Sequence, residues 1–258
     1  MTEMTQAASC TPGELMVAAA AREIRDGEIV FVGMRLPLIA FMLAKQTHAP
    51  RAVGIFEAGL VRDRPAAELL YTMADPPNIV GATWATGLWE VMSYLQRGEV
   101  DLGFIGGAEV DRHGNLNTSY IGDATRPAVK LPGSGGAADI ASLSRRFVMI
   151  MQHERRRLRE RVDYITSPGY GDGAGWRQRI GLTGGGPSAL ITSLGVFGFE
   201  QGEAVLRSYH PFSSPAEIAT HTGWPLRTAS ELGPTVAPTP DELAIIRAYD
   251  PEGFWTGS

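Results

Sequence analysis

The sequence predicts an α/β fold built on a mainly parallel sheet, with a small β-rich lobe toward the C-terminus. Two observations carry this. In the first half, short apolar runs alternate with helical segments through brief connections, the pattern of right-handed crossovers between parallel strands. After about residue 160 the apolar segments shorten and are separated by Gly or Ser, the pattern of partly antiparallel strands.

Three helix starts share one signature: Thr11-Pro12-Gly13-Glu14, Ser214-Pro215-Ala216-Glu217 and Thr239-Pro240-Asp241-Glu242. Each places a hydroxyl at the N-cap, proline at the first helical position and a carboxylate where it can reach back to the cap amide. The first helix is expected to run to about Arg25, stopped by Gly27, and Glu28 to Gly33 reads as a buried strand. Pro37 opens a second helix to about Thr47, and Val53 to Phe56 is the next strand. A helix over about Trp84 to Gln96 ends at Gly98, and Val100 to Ile105 is a further strand. Ala137 to Ser144 reads as a short helix. Ala189 to Thr192, Val196 to Phe199 and Ala204 to Tyr209 supply the strands of the β-rich lobe, ahead of the last two capped helices.

The 258 residues are 44% apolar, enough for a sizeable core, and no linker, repeat or low-complexity tract divides them, so one domain over 1–258 is expected. With 23 Lys+Arg against 28 Asp+Glu, the formal charge of -5 supplies no basic field for a polyanion, which argues against nucleic-acid binding. The single cysteine, Cys10, can form no internal disulfide and no Cys cluster for zinc, which fits a reducing cytoplasm. The start MTEMTQAASC lacks the basic and apolar segments of a secretory leader, and the nine residues LPLIAFMLA between Arg35 and Lys45 are too few to span a bilayer, so neither secretion nor membrane association is expected.

Four places can carry chemistry. Glu57 follows the strand Val53 to Phe56 and precedes Ala58-Gly59; the carboxyl ends of parallel strands face the crevice in which ligands bind. A carboxylate there is either a nucleophile or base with small neighbours that leave room for a substrate, or a loop glutamate pairing with Arg62 or Arg64. Gly133-Ser134-Gly135-Gly136 precedes the helix at Ala137, so its amides can face an anion or a developing oxyanion, or simply make a tight turn. It matches neither the dinucleotide fingerprint nor a P-loop. Asp111, Asn115 and Asn117 read as a structured turn, and His113 has no second His at a metal-ligand spacing, so no metal site is expected. The run from His153 to Arg161 is either a solvated face or a dock for phosphates or an acidic partner.

Taken in order, the segments GMRLPLIAFMLAK, FEAGL around Glu57, GFIGGAEVDRHGNLNTSYIGD, GSGGAADIA, MQHERRR with VDYITSPG, SLGVFGF, and YHPFSSPAEI with TGW resemble the beta subunit of family I CoA-transferases, most closely the glutaconate CoA-transferase type. The resemblance runs from about Glu14 to about Phe254. It implies a three-layer α/β fold, and it implies that Glu57, in the E-x-G element completed by Ala58 and Gly59, attacks an acyl-CoA thioester and passes through a glutamyl-CoA thioester. The familiar form of that element is Ser-Glu-Asn-Gly; here it is Phe56-Glu57-Ala58-Gly59. The family's second glycine loop maps onto Gly133, Gly135, Gly136 and Ala137, expected near the site as oxyanion or CoA contacts. Coenzyme A is implied as substrate, with no permanently bound cofactor. A separate alpha subunit is implied as partner, with the arginine run, Trp84 and Trp89 as candidate contacts. The implied substrates are an acyl-CoA and a carboxylic acid, dicarboxylic by nearest class. Relatives that have lost the glutamate leave the same scaffold open to hydrolysis, decarboxylation or carbon-carbon cleavage of acyl-CoA, and a non-catalytic structural subunit is the further alternative.

Overall fold

The computed structural model describes residues 10–257. Residues 1–9, on which the expectation of no secretory leader rests, lie outside it. The chain gathers into two compact units, one made by the residues up to Phe104 with those from Thr235 onward, the other by Ile105–Pro234.

In the first unit the elements are α1 (Pro12–Ala21), β1 (Ile29–Phe31), α2 (Leu36–Gln46), β2 (Val53–Phe56), β3 (Leu60–Arg62), α3 (Pro76–Ile79), β4 (Trp84–Ala85), α4 (Leu88–Gln96) and β5 (Leu102–Ile105), with the helix Pro240–Tyr249 returning from the C-terminus. The strands lie in the order β5-β1-β2-β3-β4. β1 is parallel to both β2 and β5, with Phe31 opposite Ile55 and Val30 opposite Leu102, while β3 and β4 add antiparallel edges. The apolar run of β2 is buried because both its faces are covered, as parallel strands require. Helix α2 covers one of them: a Cβ on Gly54 would sit 2.7 Å from the Phe41 ring, and Phe41 meets Phe56 edge to face at 6.2 Å. Gly54 and Phe56, two residues apart, share that face.

The three expected helix starts are all present. Thr11 and Thr239 form reciprocal capping boxes with Glu14 and Glu242, and the Ser214 hydroxyl accepts from the Glu217 amide. Glu14 also binds the Arg247 guanidinium at 2.6 and 3.1 Å, tying the C-terminal helix to α1. α1 ends at Ala21, short of the expected Arg25, with Arg22 as its C-cap and the Arg22 guanidinium held by the Val236 and Ala237 carbonyls and by Glu242. The helix expected from Trp84 begins only at Leu88: Trp84 and Ala85 pair with Val61 and Leu60 as β4, and Gly87, its amide bound by Glu90, caps α4.

The second unit is the β-rich part. It holds the hairpins β6 (Glu109–Val110) with β7 (Leu116–Asn117) and β8 (Tyr120–Gly122) with β9 (Pro127–Lys130), then α5 (Ala137–Leu143), β10 (Arg146–Met151), α6 (Trp176–Arg179), β11 (Pro187–Thr192), β12 (Gly195–Glu200), β13 (Glu203–Tyr209), α7 (Pro215–His221) and β14 (Thr228–Pro234). β10 and β11 are parallel, β11 to β13 antiparallel and β14 parallel to β13, the partly antiparallel character expected for this region. The C-terminal helix, now α8 (Pro240–Tyr249), belongs to the first unit, so the β-rich part precedes the end of the chain. Among the described residues no helix is long and apolar enough to cross a membrane.

Two histidines lie inside the second unit. The His153 ring is hydrogen-bonded to the Thr192 hydroxyl at 2.9 Å and the Thr222 hydroxyl at 3.2 Å, and His210 Nε2 reaches the Thr192 carbonyl at 2.8 Å. Burial disfavours the imidazolium, and each pKa is pushed down to about 4 from the ordinary 6.5. Between those values the unfolded chain takes up protons that the folded chain refuses. The stabilisation is therefore complete above 6.5 and lost as pH falls toward 4, by on the order of 3 kcal/mol per histidine. Urea midpoints should drop steeply between pH 7 and pH 4.5, and His210→Gln should flatten that dependence; an unchanged slope would show that the ring titrates alike in both states.

Candidate active site

The chain leaves β2 at Phe56 and enters β3 at Leu60, so Glu57-Ala58-Gly59 is the whole connection. The Gly59 amide donates to the Phe56 carbonyl at 2.9 Å, closing the turn, and Gly59 takes φ +93, a conformation open to glycine. Its backbone is also pressed against the segment that opens α4: the Thr86 amide donates to the Gly59 carbonyl at 2.8 Å, and a Cβ on Gly59 would lie 2.4 Å from the Thr86 carbonyl oxygen. Glu57 is half-buried and Ala58 exposed at the carboxyl end of β2.

Neither arginine offered by sequence as an ion-pair partner serves Glu57. Arg62 is 2% exposed, and its guanidinium donates to the carbonyls of Arg64, Pro65, Asn78 and Val80, organising the 63–80 excursion. Arg64 pairs with Asp63 at 3.3 Å. The turn holding Glu57 is thus closed by backbone contacts, while the buried Arg62 is directed to the 64–80 carbonyls.

The glycine loop lies in the second unit. Gly133 and Gly135 have positive φ, +101 and +49, and Gly136 caps α5. The Gly133 amide is taken by the Thr118 carbonyl at 2.8 Å and the Ala137 amide by the Ser134 carbonyl at 3.0 Å. That narrows the expected anion contacts. Among the described residues, the amides of Ser134 and Gly135 make no hydrogen bond within the chain, whereas the resemblance maps the contacts onto the glycines and Ala137.

The turn around His113 and most of the arginine run make contacts within the chain. Asp111 accepts from the amides of His113 and Asn115, and Asn115 in turn bridges to Gly169 and Gly171, pinning the 153–171 segment to this turn. Both His113 nitrogens are used, by the Gly202 carbonyl at 2.8 Å and the Arg112 guanidinium at 3.2 Å. In the arginine run, Arg155 caps the carbonyls of Thr220 and Thr222, Arg156 and Arg157 meet Glu154, and Arg159 meets buried Glu109 at 3.5 Å. Trp84 and Trp89 are surface residues, 44% and 82% exposed, as are Ile79, Val80 and Leu88.

Sequence reasoning missed two features of the site region. One is the Thr86–Gly87 backing of the turn, which no local pattern announces. The other is Arg35, which ends the β1 to α2 connection at φ 67 and ψ -123, a left-handed conformation that nothing in the neighbouring sequence signals for an arginine.

Comparison with known proteins agrees with this architecture. The coenzyme A transferase family profile matches residues 14–220. The beta subunit of 3-oxoadipate CoA-transferase from Pseudomonas knackmussii is 38% identical, over 92% of this chain and 92% of its own. The crystal structure of glutaconate coenzyme A-transferase from Acidaminococcus fermentans superposes with a TM-score of 0.90 at 33% identity, covering 97% of this chain and 98% of that one. The decarboxylase AibA/AibB is also similar, with a TM-score of 0.84 at 31% identity over 97% and 100% of the two chains. The chain belongs to the coenzyme A transferase family, as a beta subunit of the family I type.

The turn geometry has a direct consequence. Gly59→Ala adds a Cβ in a strained conformation against backbone, and should cost about 3 kcal/mol and shift the Glu57 turn. Ala58→Ser, at an exposed position, should stay within about 0.5 kcal/mol of the parent by thermal melting.

Proposed function

We propose that this chain is the beta subunit of a heteromeric CoA-transferase that moves CoA between an acyl-CoA and a dicarboxylic acid through a thioester on Glu57, acting as one subunit domain over 1–258. The observation that carries the reading is the placement of Glu57 at the carboxyl end of a parallel strand, as the first residue of a turn fixed by Gly59. The substrates in the names of the 3-oxoadipate and glutaconate relatives are dicarboxylic, which supports that class here.

In the proposed first step a Glu57 carboxylate oxygen attacks the thioester carbonyl carbon, and the electron pair of the carbonyl becomes an oxyanion. Collapse expels the CoA thiolate and leaves an acyl-glutamyl anhydride. The thiolate then attacks the Glu57 carbonyl carbon, releasing the acyl group as a free carboxylate and leaving glutamyl-CoA. The acceptor acid repeats these steps in reverse, so the thioester is conserved and no water enters. A carboxylate is a weak nucleophile in water, so the site must exclude solvent and stabilise the oxyanion. Binding of the distant part of CoA supplies free energy for both. The glycine loop, through the Ser134 and Gly135 amides, is the proposed donor surface for an anionic group of CoA. Coenzyme A enters as substrate, and a metal has no part in the scheme.

Acyl-CoA decarboxylation or hydrolysis is the second reading, favoured by the likeness to a decarboxylase; the presence of Glu57 in the E-x-G element favours transfer. Incubation with acyl-CoA and no acceptor should leave a hydroxylamine-sensitive CoA adduct on Glu57, and acceptor should raise CoA turnover far above the rate of hydrolysis. Full transfer by Glu57→Ala, or equal rates with and without acceptor, would overturn the proposal.

The partner is proposed to be an alpha subunit, seated in part on the exposed apolar residues Trp84, Leu88 and Trp89. These flank the Thr86–Gly87 segment that backs the Glu57 turn. Apolar surface of this kind marks an interaction site. The isolated chain should be inactive, co-expression with the neighbouring subunit should restore activity in proportion to complex formed, and Trp89→Glu should weaken assembly. A fully active preparation of this chain alone contradicts the partner claim.

A further inference from the structure

We propose that Arg35 recognises the carboxylate at the far end of a dicarboxylic acyl group, and so sets the preference for dicarboxylic over monocarboxylic acyl-CoA; this rests on the reading of Glu57 as the nucleophile. The two residues are brought to one end of the sheet by the strand register. β1 and β2 are parallel with Phe31 opposite Ile55, and the Val32 amide donates to the Ile55 carbonyl at 2.8 Å. Both strands then leave the sheet in the same direction, β1 into Gly33-Met34-Arg35 and β2 into Glu57-Ala58-Gly59. Neighbouring strands are about 4.8 Å apart. The two connections are therefore separated by a distance of the same order as the length of a short dicarboxylic chain.

Arg35 is held in an unusual way. Its φ of 67 with ψ -123 is costly for a residue with a side chain, and such strain persists only where the surroundings enforce it. Its guanidinium lies over the Trp255 ring, 5.1 Å from the centroid. Trp255 is itself fixed, with its indole N–H donated to the Leu70 carbonyl at 3.0 Å and its amide to Asp250 at 3.0 Å. A cation–π contact with a ring spends none of the guanidinium N–H groups on hydrogen bonds. Among the described residues Arg35 makes no ion pair and no side-chain hydrogen bond.

A guanidinium with its N–H groups uncommitted within the chain can bind a carboxylate with two parallel hydrogen bonds. The alternative anion is a phosphate of CoA. When the thioester carbon is at Glu57, however, those phosphates are at the far end of the extended pantetheine arm, whereas the acyl group's own carboxylate is close by. The acyl carboxylate is the anion that fits the adjacent connection.

The test uses the co-expressed complex, comparing Arg35→Gly with the parent. Glycine accepts this backbone conformation without strain, so the melting temperature should be retained or raised. The ratio of kcat/KM for glutaryl-CoA to that for valeryl-CoA should fall about tenfold or more, with Arg35→Lys recovering part of it. A ratio within about twofold of the parent's, or a matching loss of affinity for free CoA, overturns the assignment. Calorimetric binding of glutarate and valerate to both complexes gives an arm independent of turnover. Glutarate selectivity that Arg35→Gly abolishes supports the proposal even if no Glu57 adduct forms, in which case only the nucleophile reading fails; equal glutarate affinity in the two complexes overturns the Arg35 proposal itself.

Discussion

Everything proposed for the first unit depends on how tightly the chain reverses between β2 and β3. Three residues make the connection, and the last of them is driven into a left-handed conformation with another stretch of backbone against its Cα. The Thr86–Gly87 contact means that the turn is not a free loop. It is clamped between its own strand pair and the start of α4. Under the Glu57 reading, a half-buried carboxylate at the first position of such a turn has little freedom to move away from the reacting carbon, and orientation of this kind lowers the barrier to attack.

The same clamp links the site to the surface around it. The residues on either side of Thr86–Gly87 are Trp84 in the edge strand and Leu88 and Trp89 at the start of α4, all exposed. An edge strand and helix start that are apolar on the outside lie next to the turn, which under the Glu57 reading must be kept dry. The arginine run, by charge alone the more natural dock, is largely committed to internal carbonyls and to Glu154 and Glu109, and these contacts hold the 153–171 segment in place.

Much of the fold was legible because its signals are local. The Thr-Pro-x-Glu and Ser-Pro-x-Glu starts were recognisable since capping is a matter of a few adjacent residues, and β2 was read with its bounds because its apolar run is short and cleanly flanked. β3, β4, β6 to β10 and β14 are not among the expected strands. β4 is two residues long and exists only because Val61 and Leu60 offer it an edge, and β14, with Thr228-Ala-Ser-Glu-Leu-Gly-Pro, has no apolar alternation to announce it. At the candidate site, Glu57 was visible from its position after a strand. The amides of Gly133 and Ala137 looked available because sequence spacing carries no record of Thr118 or Ser134, which bind them.

The departure from the familiar Ser-Glu-Asn-Gly element takes on a definite meaning in this geometry. Side chains alternate along β2, and Phe56 shares the face of Gly54 that is covered by α2, where its ring meets Phe41. Phe56 is 2% exposed, so the residue before Glu57 serves the packing beneath the turn and is closed to a ligand. Ala58 is on the other side of Glu57 and exposed, so whatever an asparagine amide contributes to substrate binding in the familiar form is absent at this position. A methyl group there neither donates nor accepts hydrogen bonds. Under the Glu57 reading, polar recognition of the acyl group must then come from outside the turn, and the neighbouring β1 to α2 connection offers a guanidinium, that of Arg35, braced on Trp255.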